Sequence, residues 1–209
     1  MTAETPRRPR ADAARNSGKI LRAAREAYAE IGPDAPMEEI ARRAGVGIAT
    51  LYRHFPNKEE LATAALEQKA AEEMSPAIDR ALADDDPMRG MTALLEAMAS
   101  LGSREHSTFA AVRHYGSLSP EISTPYYEAL LVLVRRAQLA GLVRADLVPD
   151  DLHRITVMLL SVLWTMPPAS EGWKRYVTLV LDGLSPARPS SLPPAAPLWH
   201  PEKRDTRPA

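Results

Sequence analysis

The 209-residue chain contains no cysteine, which removes disulfides, zinc–thiolate centres, iron–sulfur clusters and cysteine nucleophiles together and fits a reducing compartment. Neither sign of charge prevails. Against 26 Lys and Arg stand 27 Asp and Glu, a formal net charge of −1, so any attraction for nucleic acid has to come from local placement of cations. Long apolar runs are missing too: the longest charge-free stretch, residues 155–170, is shorter than the roughly 20 residues a membrane span needs and carries Pro167 and Pro168. It reads as a buried helix. The opening MTAETPRRPR has arginines but no apolar segment behind them, so it does not have the form of a secretory signal, and a cytoplasmic location is expected. Aromatics are scarce at 5%, and β-branched residues form no alternating runs, which argues against a sheet.

Ala, Leu, Glu and Arg fill the periodic segments instead, and the chain reads as all-α. Arginine outnumbers lysine 21 to 5; GC-rich codon usage produces such a bias as readily as guanidinium chemistry does, so the excess assigns nothing. Residues 1–11 are polar and Pro-interrupted, with Arg7, Arg8 and Arg10, and are expected to form a flexible basic arm. From about Asp12, helical spacing of Ile20, Leu21, Ala24, Tyr28 and Ile31 predicts a first helix stopped by Gly32 and Pro33. Pro36, Glu38 and Glu39 open a short second helix that ends at Gly45, and Ile48 to Phe55 form a third, closed by Pro56. Asn57 is a good N-cap for a fourth helix over 57–73, with Glu60 at N3. Further on, Ser75-Pro76, Asp86-Pro87, Thr124-Pro125 and Val148-Pro149 read as helix starts, Gly141 and Gly183 as C-caps, giving about nine helices in all. Residues 185–209 hold seven prolines and are expected to be a disordered tail.

Around Gly45-Val46-Gly47, the apolar residues Ile40, Ala41, Ala44, Val46, Leu51 and Phe55 can share a small core, which is helix-turn-helix spacing. Helical hairpins in ordinary bundles have the same spacing, so spacing alone leaves both readings open. The residues go further. The stretch MEEIARRAGVGIATLYRHFPNKEEL, residues 37–61, resembles the DNA-binding signature of the TetR family of bacterial transcriptional regulators, without gaps from the first helix to Leu61. The resemblance implies a helix-turn-helix domain over residues 12–61 whose third helix enters the major groove of an operator. Thr50, Tyr52, His54 and Lys58 would then donate to phosphate oxygens, while Gly47, Ile48, Ala49 and Arg53 would face base edges, the apolar ones suited to thymine methyl groups. Two positions depart from the family pattern: Gly47 stands where a Ser or Thr is common, and Pro36 where a Thr is common. Each replaced hydroxyl would cap a helix and reach a phosphate. Arg7, Arg8, Arg10, Arg15 and Lys19 are candidates to compensate along the DNA backbone or in the minor groove.

The resemblance makes residues 62–184 a helical ligand-binding and dimerisation domain; segments 140–152 and 173–184 are similar to those of an actinobacterial-type subgroup. A helix over 149–166 is apolar on nearly all sides and, with a helix over 171–184, is expected to build a homodimer through Ile155, Leu159, Val162, Trp173, Tyr176, Val177, Val180 and Leu184. For an effector pocket the candidates are Met98, Phe109, Tyr115, Tyr127, Leu130, Met158 and Trp164, with His106 and Arg113 as polar anchors, although Met and aromatic residues at helical spacing also make plain cores. The expected partners are operator DNA, a second copy of the chain and an apolar or aromatic small molecule, with no membrane, metal or cofactor. The expected function is a homodimeric repressor released from a palindromic operator by its ligand. Two rival readings stand beside it. An enzyme would draw on His54, His106, His114, His153 and His200, but no HExxH, P-loop, GxSxG or dinucleotide fingerprint is present. A helical ligand-binding or interaction module would leave Tyr52, His54 and Lys58 without a role.

Overall fold

The computed structural model describes residues 9–115, 120–187, 190 and 192–195, without the side chains of 9–13 and 113–123. Among the described residues there are nine α-helices and no strand, and no helix is long and apolar enough to cross a membrane. Most of the basic arm and of the Pro-rich tail lies outside the described residues, as do the side chains of Arg113 and Tyr115.

Four short-range punctuation marks build the N-terminal unit. Helix α1 (Pro9–Ile31) ends where Gly32 takes φ 105°, a value that suits a residue without Cβ. Pro36 then precedes α2 (Met37–Ala44), which stops at Gly45 in the left-handed conformation, φ 67°, ψ 35°. Helix α3 (Ile48–His54) follows at once, and α4 (Lys58–Ala83) starts on an Asn57 cap whose Oδ1 accepts from the Glu60 amide at 2.8 Å. Ile20, Ala24, Tyr28, Ile40, Leu51, Leu61 and Leu66 are fully buried together and form the first core.

Helix α4 runs straight through the Ser75-Pro76 pair that read as a new start. Proline removes the bond to the carbonyl four residues back, and here Glu72 and Pro76 both face solvent, so the freed carbonyl is not left unpaired in the core. The helix therefore spans roughly 39 Å at 1.5 Å per residue and supplies Leu61 to Leu66 to the first core and Ala70 to Ala81 to a second. The second core is completed by α5 (Pro87–Arg104), α7 (Pro120–Leu139), α8 (Pro149–Val162) with a one-turn 3-10 extension (Leu163–Thr165), and α9 (Trp173–Gly183). Asp86 caps α5, accepting from the Met88 amide at 2.9 Å, and the Asp151 carboxylate accepts from the Val148 amide at 3.0 Å to fix the start of α8. Gly141 ends the α7 region at φ 68°, but Gly183 is the last residue of α9 and Leu184 its cap. Pro125 lies inside α7 instead of opening it.

Helix α6 (His106–Tyr115) is separated from α5 only by Glu105, a break that no glycine or proline marks. It carries Ala111 and Val112 into the first core, and Phe109 packs against both cores. Behind α9, Arg144 clamps the following segment: its amide donates to the Leu184 carbonyl at 2.9 Å and its Nη2 to the Ser190 carbonyl at 2.6 Å, while Asp146 holds the guanidinium from the other side.

Candidate nucleic-acid interface

Helix α3 is pinned to the first core by Leu51 and by Phe55 just beyond its end, both buried. What remains turns outward. Ala49 and Arg53 are exposed, Tyr52 is 44% exposed and Ile48 38%, and Thr50 and His54 lie half-buried on the opposite flank from Tyr52. Gly47 and Pro36, the two positions where hydroxyl caps were expected to be lost, precede α3 and α2 with no side-chain cap. A Cβ built at Gly47 meets nothing within 4 Å, so its lack of a side chain is not imposed by packing. Lys58 opens α4 with its Nζ donating to the Asp34 carbonyl at 3.0 Å; an ammonium keeps two further N–H donors for an anion.

The cations of α2 are arranged differently. Arg42 grips Glu39 through two hydrogen bonds of 2.7 Å, and Arg43 bonds Glu39 at 2.8 Å and Glu30 of α1 at 2.7 Å. These bonds, Arg42's first and then Arg43's, hold the Glu39 carboxyl at about 2, and the carboxylate in turn raises both arginines. Arg42 and Arg43 are thus balanced internally, and Arg43 fastens α2 to α1 through Glu30, whereas Arg53 has no carboxylate partner among the described residues.

Among the described residues, the expected effector positions take different settings. Met98 and Leu130 are buried core residues, Met158 faces solvent, His106 packs on Trp164 with ring centroids 4.4 Å apart, and Tyr127 sits 5.0 Å from His153. Burial lowers the His106 pKa. An apolar cavity of about 190 Å³ lies between α4 and α7, lined chiefly by Ala70, Ala71, Met74, Ile78 and Pro125; none of the expected effector residues whose side chains are described lines it. The small side chains of Ala70 and Ala71 are the one sequence sign of that space. Of the residues expected between subunits, Leu159, Trp173, Val177 and Leu184 are buried within the chain itself. Ile155, Val162 and Val180 are half-buried and Tyr176 is exposed.

The same helix order recurs in known proteins. A model described as bacterial regulatory proteins, tetR family, matches residues 20–65, and one described as transcriptional regulator SbtR-like, C-terminal domain, matches 86–186. A TetR regulatory protein from Mycobacterium vanbaalenii is 31% identical, with 84% of this chain and 98% of that one aligned at a TM-score of 0.55. The chain belongs to the TetR family. It is a DNA-binding transcriptional regulator and not an enzyme. A second TetR regulator, SCO0520 from Streptomyces coelicolor, is 30% identical over 82% of this chain and 99% of its own, TM-score 0.57. FadR from Bacillus subtilis, solved with stearoyl-CoA, shares the fold at 19% identity, covering 81% and 97%, with a TM-score of 0.63. No curated protein matches significantly.

Proposed function

We propose that this TetR regulator is a homodimeric repressor, released from a palindromic operator when an apolar small molecule binds. The observation that carries the reading is α4, one continuous helix that belongs to both cores and has an apolar cavity on its flank. A ligand that widens this cavity moves the shaft on which the reader is mounted, and so changes the distance between two α3 helices in a dimer. Release requires the ligand to prefer the DNA-incompetent arrangement; a preference of about 1–3 kcal/mol gives a 5–150-fold change in operator affinity. FadR, which shares the fold, was solved with an acyl-CoA, which supports an apolar effector.

Dimerisation is supported by a solvent-facing apolar strip: Val157 and Met158 on α8, the latter 56% exposed, Trp164 beyond them, and Tyr176 and Leu179 on α9, the latter 53% exposed. Half-sites would lie about one helical turn, roughly 34–36 Å, or a multiple of it apart. Thr50, Tyr52, His54 and Lys58 are assigned to phosphates, and residues 12–61 and 62–184 to the reading and sensing parts. The test is a gel-shift titration of the purified chain on the DNA upstream of its own gene, with light scattering on the same sample. Sequence-selective binding by a dimer is expected; a monomer at micromolar concentration, or equal affinity for unrelated DNA, defeats the reading.

A further inference from the structure

Successive residues of an α-helix are turned by roughly 100°, so the burial of Leu51 and Phe55 fixes which way every other residue of α3 looks. Opposite that buried edge lie Ala49 and Arg53, four residues apart on one line. Tyr52 falls on one flank, Thr50 and His54 on the other. A helix about 10–12 Å across fills a major groove about 12 Å wide. Its flanks then meet the phosphate walls and its outward line meets the base edges. Hydroxyl and imidazole groups on the flanks and a guanidinium on the central line match that division.

Two further observations single out Arg53. Of the three arginines on α2 and α3, Arg42 and Arg43 are held by Glu39 and Glu30, while Arg53 has no carboxylate partner among the described residues. Its five donors are available to a ligand. Side chains on a helix also lean toward the N-terminus, and the residue one turn back from Arg53 is the exposed Ala49, whose methyl group leaves room for a long side chain on that line. We propose that Arg53 reads a guanine in each operator half-site, donating in bidentate fashion to O6 and N7. The pairing follows from geometry: a planar fork of two N–H donors fits the two acceptors that guanine alone presents side by side in the major groove. This inference rests on the docking of α3 proposed above, and makes Arg53, not the apolar first turn, the main source of base preference.

The test selects bound sequences from a pool of random duplexes with the wild-type chain, Arg53→Ala and Arg53→Lys. The wild type is expected to enrich a two-fold motif with one guanine per half-site that Arg53→Ala no longer requires, the other positions being unchanged. Arg53→Lys keeps the charge but not the fork, so it should not restore the full preference. In the selected duplex, replacing that guanine by 7-deazaguanine removes N7 alone, and should weaken the wild type about tenfold or more while leaving Arg53→Ala indifferent. If Arg53→Ala enriches the same motif and is weaker on all sequences alike, Arg53 is a phosphate contact and the inference is overturned while the reader stands. If the wild type enriches no motif, the docking of α3 fails and the inference with it.

Discussion

Gly90 of α5 lies against the backbone of Ala81 in α4 so closely that a Cβ at Gly90 would stand 2.6 Å from the Ala81 carbonyl oxygen and 2.9 Å from Leu133 Cδ2. The Ala81 carbonyl lies in the last turn of α4 and accepts from the Asp84 amide at 3.4 Å, so it cannot rotate aside as a side-chain end does, and Gly90→Ala should separate α4 from α5 and cost about 1–3 kcal/mol. Gly102→Ala is the control: its Cβ would meet Leu163 Cδ1 at 2.7 Å and Leu160 Cδ2 at 3.0 Å, ends of side chains that can rotate. Urea melts should show Gly90→Ala as the more damaging change, and equal midpoints would refute the argument.

A charge on the outward strip should divide the proposed dimer without unfolding the chain. Met158→Glu is expected to give a helical monomer that loses operator binding. Val177→Glu acts differently, because Val177 is buried in the chain's own core, where an unpaired charge costs several kcal/mol. Its helicity should collapse. Circular dichroism with light scattering distinguishes the two, and a Met158→Glu protein that stays dimeric excludes that strip as the interface.

Phosphate contacts leave a uniform trace. Tyr52→Phe and Lys58→Ala should weaken binding to every sequence about equally, and Lys58→Ala should lower the salt slope by about one unit. Lys58→Arg keeps a cation able to reach the Asp34 carbonyl and should retain most of the affinity. A loss confined to the operator would contradict the assignment.

The Glu39 carboxyl is lowered from 4.5 to about 2 by its arginine partners. A lowered carboxylate contributes stability above its unfolded pKa and loses it as the pH falls through the folded value. The contribution should therefore be complete above about pH 4.5 and fade toward pH 2, and Glu39→Gln should remove this part of the acid dependence. The effect is small for a cluster whose Arg42 and Glu30 stand largely in water. Thermal melts between pH 2 and 6 in which the two proteins respond to acid identically would rule it out.

The reader was legible because its signals are local. Gly45, Pro56 and Asn57 each act within one turn of chain, and the pattern around Leu51 and Phe55 needs no distant partner. The sensing part is built from longer-range facts. Pro76 and Pro125 look like helix starts, yet a proline on a solvent-facing turn lets a helix continue. Glu105 looks ordinary, yet α5 ends there. The apolar girth of α8 is plain in the sequence, but how much of it the chain covers itself depends on where α5, α7 and α9 lie, and it claims Leu159, Trp173, Val177 and Leu184 among the eight residues expected between subunits. For effector residues, type alone cannot separate a pocket wall from a core: Met98 and Leu130 are buried in the second core, and one apolar cavity lies beside two alanines.

Because Ala111 and Val112 of α6 are part of the first core, the reading part proposed over residues 12–61 draws its core from chain beyond its own bounds and cannot be exchanged as a cassette. A hybrid joined after residue 61 would leave Ala62, Ala65 and Leu66, all buried in that core, to a foreign scaffold, along with the two α6 residues that seal it. The interchangeable part is much smaller. Ala49 and Arg53 are exposed and belong to neither core, so retargeting this regulator calls for changing those two side chains in place, with every buried residue left as it is.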